Sequence, residues 1–292
     1  STIWCIMLFA GMIGGLPIGT GLILFGGLVL LVLSLRRGRS FRPLFCFSNV
    51  LLFLICLYFL WNLHGLELTG YDDFTHWGVI ARILVQKDRL PDSSDWNIVF
   101  QSYPPGSAVM IYYFSKVVGR SDEWIWLFAQ ACVTLSMYMS LFAFGKNWKQ
   151  RAFLLAVTLI LLCSNTFFIN LLVDTLITAT ALAAMCFCIY YREKLSGKLG
   201  YLLPILVFLT AVKTSGIFYL IIVLVYTGGK AFRQNIGRQW ACLLVLSIVP
   251  IIFWRLHVHG TFPEGMLTKH SLSLEYFRKT LDDKDWGGIK YI

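Results

Sequence analysis

The sequence predicts an all-α protein, a polytopic transmembrane helical bundle. Of its 292 residues, 58% are hydrophobic and only 14% are charged, and the mean hydropathy is +0.71. A soluble domain would carry about 25% charged residues. Several apolar runs approach the roughly 20 residues that cross a bilayer. Because these runs are continuous and do not alternate with polar residues, they favour membrane helices over the strands of a β-barrel.

The N-terminal apolar run, residues 3–35, is too long for one span. It is interrupted by Gly14, Gly15 and Pro17. We therefore predict a transmembrane hairpin followed by a basic cytoplasmic turn, which together make a first region, residues 1–44. A span at about 45–64 comes next and leads into a long polar segment, residues 65–122.

Two helices that lie parallel to the membrane surface are predicted within the 65–122 segment. The first is amphipathic, with apolar residues at helical spacing at Phe74, Trp77, Ala81 and Leu84. The second begins after a turn at residues 103–107, where proline suits a first helical turn, and continues to Gly119. It has about a dozen residues, which is short for a span.

The remaining apolar runs complete a predicted core that extends over residues 45–256. These runs lie at about 123–145, 152–168, 175–191, 199–211, 215–229 and 240–256. A C-terminal segment, residues 257–292, then lies on the same side as the 65–122 segment. Since the chain begins inside an apolar run without methionine and ends in a polar segment, we expect a fragment of a longer protein.

The distribution of charge predicts which side of the membrane each turn faces. Four short basic clusters separate the apolar runs: Arg36, Arg37, Arg39 and Arg42; Lys146, Lys149 and Arg151; Arg192, Lys194 and Lys198; Lys230, Arg233 and Arg238. They hold 13 basic residues and one acid, whereas the two long polar segments hold ten basic and twelve acidic residues. By the positive-inside rule the clusters are cytoplasmic and the long segments extracytoplasmic. The net charge of +10 therefore reflects topology, and we expect no nucleic-acid partner.

The adjacent carboxylates Asp72 and Asp73 are the first candidates for chemistry. They follow a span and open the first surface helix, with His76 one helical turn further on and Tyr71 beside them. They suit a general base, ligands for a divalent cation, or helix caps. Proximity to a membrane interface and to each other would raise a carboxylate pKa, which favours general base chemistry.

Further candidates lie at the same predicted face. Asp174 is surrounded by apolar residues, where an acid is a functional candidate, or it caps the helix that follows. Lys213, in an outward turn, can hold a phosphate while its stem stays in apolar surroundings, or it snorkels to the interface. Arg255 has the same two interpretations. Tyr103 either shapes the turn before the second surface helix or stacks on a sugar.

His257 and His259 form a His-x-His pair, which could grip a metal ion if it lay on a strand. A divalent metal ion is therefore a candidate cofactor. The other candidate ligands are Asp72, Asp73 and Asp174.

This order of features resembles the GT-C superfamily of membrane glycosyltransferases, which includes the protein O-mannosyltransferases and the bacterial transferases that attach aminoarabinose to lipid A. The resemblance rests on a span followed by the pair Asp72-Asp73, and it covers about residues 45–256. Further matches are the Tyr-Pro-Pro run 103–105, residues 119–123 before the next span, the pair Asp174-Thr175 and the Lys213 turn.

The resemblance implies that the chain moves a sugar from a polyprenyl-phosphate donor to a glycan, lipid or protein acceptor at the extracytoplasmic face of the cell membrane. In the superfamily an aspartate after the first span is the general base, which corresponds to Asp72, and Asp73 takes the place of a common glutamate. His76 falls where an aromatic residue or a histidine is frequent. Asp174 is implied near the acceptor or a metal, and Lys213 at the donor phosphate.

A second hypothesis is a multi-pass transporter or flippase for a lipid-linked sugar, in which Asp174 and Lys213 form a coupling pair within the bundle. It requires polar residues along the inner halves of the spans, and the sequence has few there. A non-catalytic scaffold is the third hypothesis.

Overall fold

The structure is a computed structural model that describes residues 2–262 except 39, 96, 164 and 165. Helices make up 77% of it, and the described residues form no strand, which confirms the all-α class. The predicted C-terminal segment 257–292 lies outside the described residues from 263 onward.

The described residues form eleven α-helices in chain order. These are α1 (Thr2–Met12), α2 (Leu16–Arg36), α3 (Phe47–Leu63), α4 (Gly78–Lys87), α5 (Gly106–Val118), α6 (Glu123–Tyr138), α7 (Trp148–Cys163), α8 (Asp174–Tyr190), α9 (Leu199–Val212), α10 (Gly216–Arg233) and α11 (Gly237–Thr261). Short 3₁₀ turns at Arg42–Phe45, Met139–Phe144 and Thr166–Ile169 precede or extend them.

Four helical segments are long and apolar enough to cross a bilayer, which indicates a membrane protein. They are Leu16–Arg36, Glu123–Phe144, Gly216–Arg233 and Gly237–Thr261. Shorter apolar helices of 10–17 residues, among them α3, α8 and α9, lie between them in the chain.

Helices α4 and α5 lie in the segment where two helices were predicted. They pack against each other, and the faces that carry Ile80, Ala81 and Leu84 in α4 and Tyr112 in α5 are buried. Their predicted orientation parallel to a membrane surface stays a prediction.

The start of α5 is fixed by an unusually close approach to α9. A Cβ atom added to Gly106 would lie 2.3 Å from the carbonyl oxygen of Ala211, so only glycine fits at this crossing. The indole Nε1 of Trp4, which is fully buried, donates to the Gly106 carbonyl at 2.6 Å. The Trp4 ring also meets Phe208 edge to face at 5.3 Å between centroids. Helices α1, α5 and α9 are thereby joined next to the α9–α10 turn.

The basic clusters gather at one end of the bundle, which we call the basic end. Gln234, after α10, accepts from the Leu195 N–H at 3.0 Å and donates to the Arg192 carbonyl at 2.9 Å, which joins the α10–α11 and α8–α9 turns. The Arg151 guanidinium of α7 lies over the Phe47 ring of α3 at 5.6 Å. The other turns meet at the opposite end, the site end.

Candidate functional site

The acidic pair lies in a π-helical turn, Asp73–Trp77, that runs directly into α4. The turn is closed by the Gly78 N–H, which donates to the Asp73 carbonyl. A Cβ on Gly78 would lie 2.6 Å from that carbonyl oxygen, so the glycine permits the turn. Single π turns are rare and often mark functional sites, because they shift side chains off the regular helical register.

Asp73 is only 2% exposed and is held by backbone groups on both sides. One carboxylate oxygen, Oδ1, accepts from the Leu171 N–H at 2.8 Å, and Oδ2 accepts from the Gly70 N–H at 3.3 Å. Burial raises the pKa of the Asp73 carboxyl, the two N–H donors oppose that rise, and the nearby charges of Asp72 and Glu123 add to it. Asp73 therefore joins the segment after α3 to the turn before α8.

Asp72 has a different environment, although it is the neighbouring residue. Its side chain is half-buried, and within the described part of the chain it accepts no hydrogen bond. Neither aspartate acts as the helix cap that the sequence allowed, since Asp72 makes no capping hydrogen bond and Asp73 bonds to Gly70 and Leu171. Asp72 is thus the member of the pair whose carboxylate has no hydrogen-bond partner among the described residues.

His76 is enclosed by aromatic rings. Its ring centroid lies 4.4 Å from that of Trp77, 5.5 Å from Phe100 and 5.3 Å from Tyr103. We call these three residues the aromatic cluster. Tyr103 also stacks on Phe100 at 5.0 Å, so the predicted substrate contact is part of the wall around the imidazole.

The imidazole of His76 is 1% exposed, and neither ring nitrogen has a hydrogen-bond partner among the described residues. The pKa of His76 is lowered to about 3, chiefly by burial and to a smaller extent by the positive charge of Lys213. His76 is therefore neutral at physiological pH, and its two ring nitrogens lie close to the acidic pair in sequence without a hydrogen-bond partner among the described residues.

Asp174 and Lys213 form an ion pair at the site end. The Lys213 Nζ lies 2.9 Å from the Asp174 Oδ1, with the lysine side chain 23% and the aspartate side chain 60% exposed. Asp174 is the first residue of α8, and Lys213 directly follows α9. The pair lies at helix ends, and its lysine is near enough for its charge to act on His76.

Four predicted site residues from three distant parts of the chain therefore meet at the site end. Asp73 bonds to Leu171, three residues before Asp174, and Asp174 pairs with Lys213, whose charge acts on His76. Negative, positive and neutral polar groups are combined with aromatic rings. Such a set can accept a proton, bind a phosphate and stack on a sugar ring.

Arg255 and the two histidines of α11 are less closely connected to this group. Arg255 lines a small cavity together with Pro104 and Thr214, and thus lies beside the α9–α10 turn. His257 lies 3.2 Å from the Pro91 carbonyl through Nε2, and His259 is exposed. Because the pair lies within a helix, the two side chains are about 200° apart around the axis and do not form a His-x-His grip.

The described residues of the site offer few side chains that could coordinate a metal ion. Across the described residues, no group of three or more His, Cys, Asp or Glu is close enough to hold one. Asp73 is already bonded to two N–H groups and Asp174 to Lys213, which leaves Asp72 as the unengaged carboxylate. The divalent metal stays a prediction.

Glu123 is a positioning residue whose role the sequence did not reveal. Its Oε2 accepts from the Leu68 N–H at 2.7 Å and its Oε1 from Arg82 at 2.7 Å. It therefore fixes the segment just before the acidic pair to α4 and α6. An acid at the start of an apolar run was the available signal, but it also suits a simple helix start.

An apolar groove of about 620 Å³ lies between α3 and α7 and includes the end of the 3₁₀ turn Thr166–Ile169 in its lining. Its lining includes Tyr58, Phe59, Leu66, Leu159, Phe168 and Ile169. Phe168 and Ile169 come just before Leu171, the residue that holds Asp73. The groove is large enough for part of a lipid chain next to the polar group.

Comparison of this chain with protein-family models, with curated proteins and with solved structures finds no match to any of them.

Proposed function

We propose that this chain is a multi-pass membrane glycosyltransferase, similar to the GT-C superfamily, that moves a sugar from a polyprenyl-phosphate donor to a glycan, lipid or protein acceptor. The proposal rests on the convergence of Asp73, next to Asp72, with His76 and the Asp174–Lys213 pair at the end of the bundle opposite the basic clusters. By the positive-inside rule the basic end is cytoplasmic, and the site then faces outward.

Asp72 is the proposed general base. The acceptor hydroxyl attacks the anomeric carbon of the donor sugar and gives its proton to the Asp72 carboxylate. The bond between that carbon and the phosphate oxygen breaks, and its electron pair leaves with the lipid phosphate, so the anomeric centre is inverted. Asp73, bonded to two backbone N–H groups, holds the turn that presents Asp72.

Lys213 is the proposed partner of the donor phosphate. A phosphate beside the Lys213 ammonium gains charge-assisted hydrogen bonds, which strengthen as negative charge develops on the leaving oxygen. Asp174 keeps the ammonium at this position at 2.9 Å in the free protein. The apolar groove between α3 and α7 supports a donor whose tail stays in the bilayer while its phosphate reaches the site.

His76 and the aromatic cluster are assigned to the sugar. The half-buried rings of Phe100 and Tyr103 are the part of the cluster that a sugar can reach, and the buried imidazole of His76 packs edge to face against both rings.

The proposal is tested by removing the protein from the cells that make it and analysing their polyprenyl-phosphate sugars by mass spectrometry. Loss of the transferase blocks donor use, so one lipid-linked sugar should accumulate and return to its normal level when the wild-type chain is restored. An unchanged set of lipid-linked sugars, with an unchanged envelope glycan, contradicts the proposal.

A transporter or flippase for a lipid-linked sugar is the second candidate, and the ion pair of Asp174 with Lys213 is the observation that favours it. The pair joins helix ends, whereas a coupling pair is needed along the path through the bundle. Movement of a lipid-linked sugar across liposomes that contain the purified protein, without formation of a glycosidic bond, supports the transporter.

A further inference from the structure

A second groove lies at the basic end, far along the helices from the candidate site. It has a volume of about 300 Å³ and runs between α9 and α11. Its walls are mostly aliphatic, with Leu199 and Leu203 on one side and Leu243 and Leu246 on the other. Gly200 opens the groove, because a Cβ added there would meet no atom within 4 Å.

The polar end of the groove is formed by Arg238 and Gln239 in the first turn of α11. Arg238 is exposed and has no ion-pair partner among the residues that the structure describes. Gln239 uses its Oε1 to accept from the Gly197 N–H at 3.2 Å, which leaves its amide NH₂ group as a donor. A guanidinium and an amide donor therefore lie side by side at the end of an apolar channel.

The surroundings of Arg238 are strongly positive. The four basic clusters contain one acid, Glu193, and that acid is paired with Arg192 at 3.0 Å. The groove thus combines an unneutralised cation with space for a hydrocarbon chain. Clusters of basic residues at the membrane face favour anionic lipid headgroups, and a pocket between helices adds selectivity for one bound lipid.

We propose that this groove binds one anionic phospholipid. The phosphate accepts hydrogen bonds from Arg238 and Gln239, and one acyl chain lies between Leu203 and Leu246, over Gly200. The net charge of the headgroup selects the lipid, because the basic clusters around Arg238 repel the ammonium group of a zwitterionic headgroup and attract one that is only anionic. This inference is independent of the proposed transferase activity, since it uses no residue of the candidate site.

The test uses the purified full chain in detergent, with phosphatidylglycerol or phosphatidylcholine of identical acyl chains added in steps. Native mass spectrometry counts bound lipids, and thermal unfolding reports the stabilisation. We expect one phosphatidylglycerol to bind and raise the Tm. Phosphatidylcholine should bind at least about tenfold more weakly, because its choline ammonium lies beside the basic clusters.

Two variants identify the groove as the site. Arg238→Gln should reduce phosphatidylglycerol binding to the level of phosphatidylcholine, whereas Arg233→Gln, at an exposed position of the same end, should leave the preference unchanged. Gly200→Leu fills the groove and should abolish binding of both lipids. Gly229→Leu is its matched control, because a Cβ at that exposed helical glycine also meets no atom within 4 Å.

Equal binding of the two lipids by the wild-type chain overturns the proposal. A full preference for phosphatidylglycerol in both Arg238→Gln and Gly200→Leu overturns it as well. Either variant that fails to fold is recognised by a lowered Tm without lipid, and the other variant then decides the result.

Discussion

Two adjacent aspartates in this chain differ in environment because of a residue almost a hundred positions away. Asp73 is buried against the Leu171 N–H, and the side chain of Asp72 next to it makes no hydrogen bond within the described chain. The sequence places both carboxylates at a predicted interface, but their adjacency cannot show which one is held. Which carboxylate is hydrogen-bonded depends on the turn before α8, and only the tertiary structure brings that turn close to the two aspartates.

Replacing Asp73 by Asn should destabilise the protein, whereas replacing Asp72 by Asn should not. An amide has one acceptor oxygen, so its NH₂ group would face either the Gly70 or the Leu171 N–H. A buried polar group without a partner costs about 1–3 kcal/mol. Thermal unfolding in detergent should show a lower Tm for Asp73→Asn only. Equal Tm values for the two variants would contradict the structural role of Asp73.

His76 should make the protein sensitive to mild acid. Its folded-state pKa of about 3 lies below the ordinary histidine pKa of 6.5, so the unfolded chain takes up the proton first. The stability present above pH 6.5 is lost as the pH falls towards 3, by roughly 2 kcal/mol between pH 7 and pH 5. Thermal unfolding at both pH values should show a smaller loss for His76→Phe.

The raised pKa of Asp73 acts in the opposite direction, because a carboxyl that protonates more readily in the folded state favours folding as the pH falls. Asp73 is present in both proteins, so the difference between the wild type and His76→Phe isolates the histidine. The same loss of stability in the two proteins would show that the imidazole is not buried in its neutral form.

At the scale of the helices, the apolar runs identify most elements but misplace some ends. The run predicted at 152–168 corresponds to α7, Trp148–Cys163, and that at 215–229 to α10, Gly216–Arg233. Both helices continue into basic flanks, where Lys149 and Arg233 are good helix formers that hydropathy does not count. The π turn at Asp73–Trp77 has no periodic signal, since it results from packing and from the close contact at Gly78.

The crossing of α5 and α9 should not tolerate a side chain. Gly106→Ala would place a Cβ 2.3 Å from the backbone oxygen of Ala211, and backbone on both sides cannot move away easily. We expect a loss of about 1–3 kcal/mol, measured as a lower Tm. Gly229→Ala, where the added Cβ meets nothing within 4 Å, is the control and should be neutral or stabilising. Equal Tm values for the two variants would contradict this close approach.

At the scale of the whole molecule, the sequence predicted the order of the elements and a segregation of charge, and the contacts agree with two distinct ends. Gln234 joins two basic turns at one end, and Lys213 joins Asp174 at the other. The identity of the partners was not predictable, because Lys213 and Asp174 are 39 residues apart and several acids share the predicted face. The charge pattern indicates on which side of the membrane each turn lies, whereas the pairing of individual charged residues depends on how the helices pack.

The proposed orientation predicts which end a membrane-impermeant maleimide reaches. In a cysteine-free variant, Ser93→Cys lies in the 65–122 segment and Ser196→Cys lies at the basic end, and both serines are exposed. Intact cells should label Ser93→Cys, and Ser196→Cys should react only after the membrane is permeabilised. The reverse pattern would place the candidate site in the cytoplasm.

Asp72 is proposed to remove the proton from the acceptor hydroxyl, and the most direct test of this role is sugar transfer by Asp72→Asn. The purified variant is supplied with the lipid-linked sugar that accumulates in cells without the protein, together with membranes that contain the acceptor. We predict that transfer falls by about 10²–10⁴-fold while the Tm stays that of the wild type, as expected for loss of a general base. Undiminished transfer by the folded variant would contradict the account.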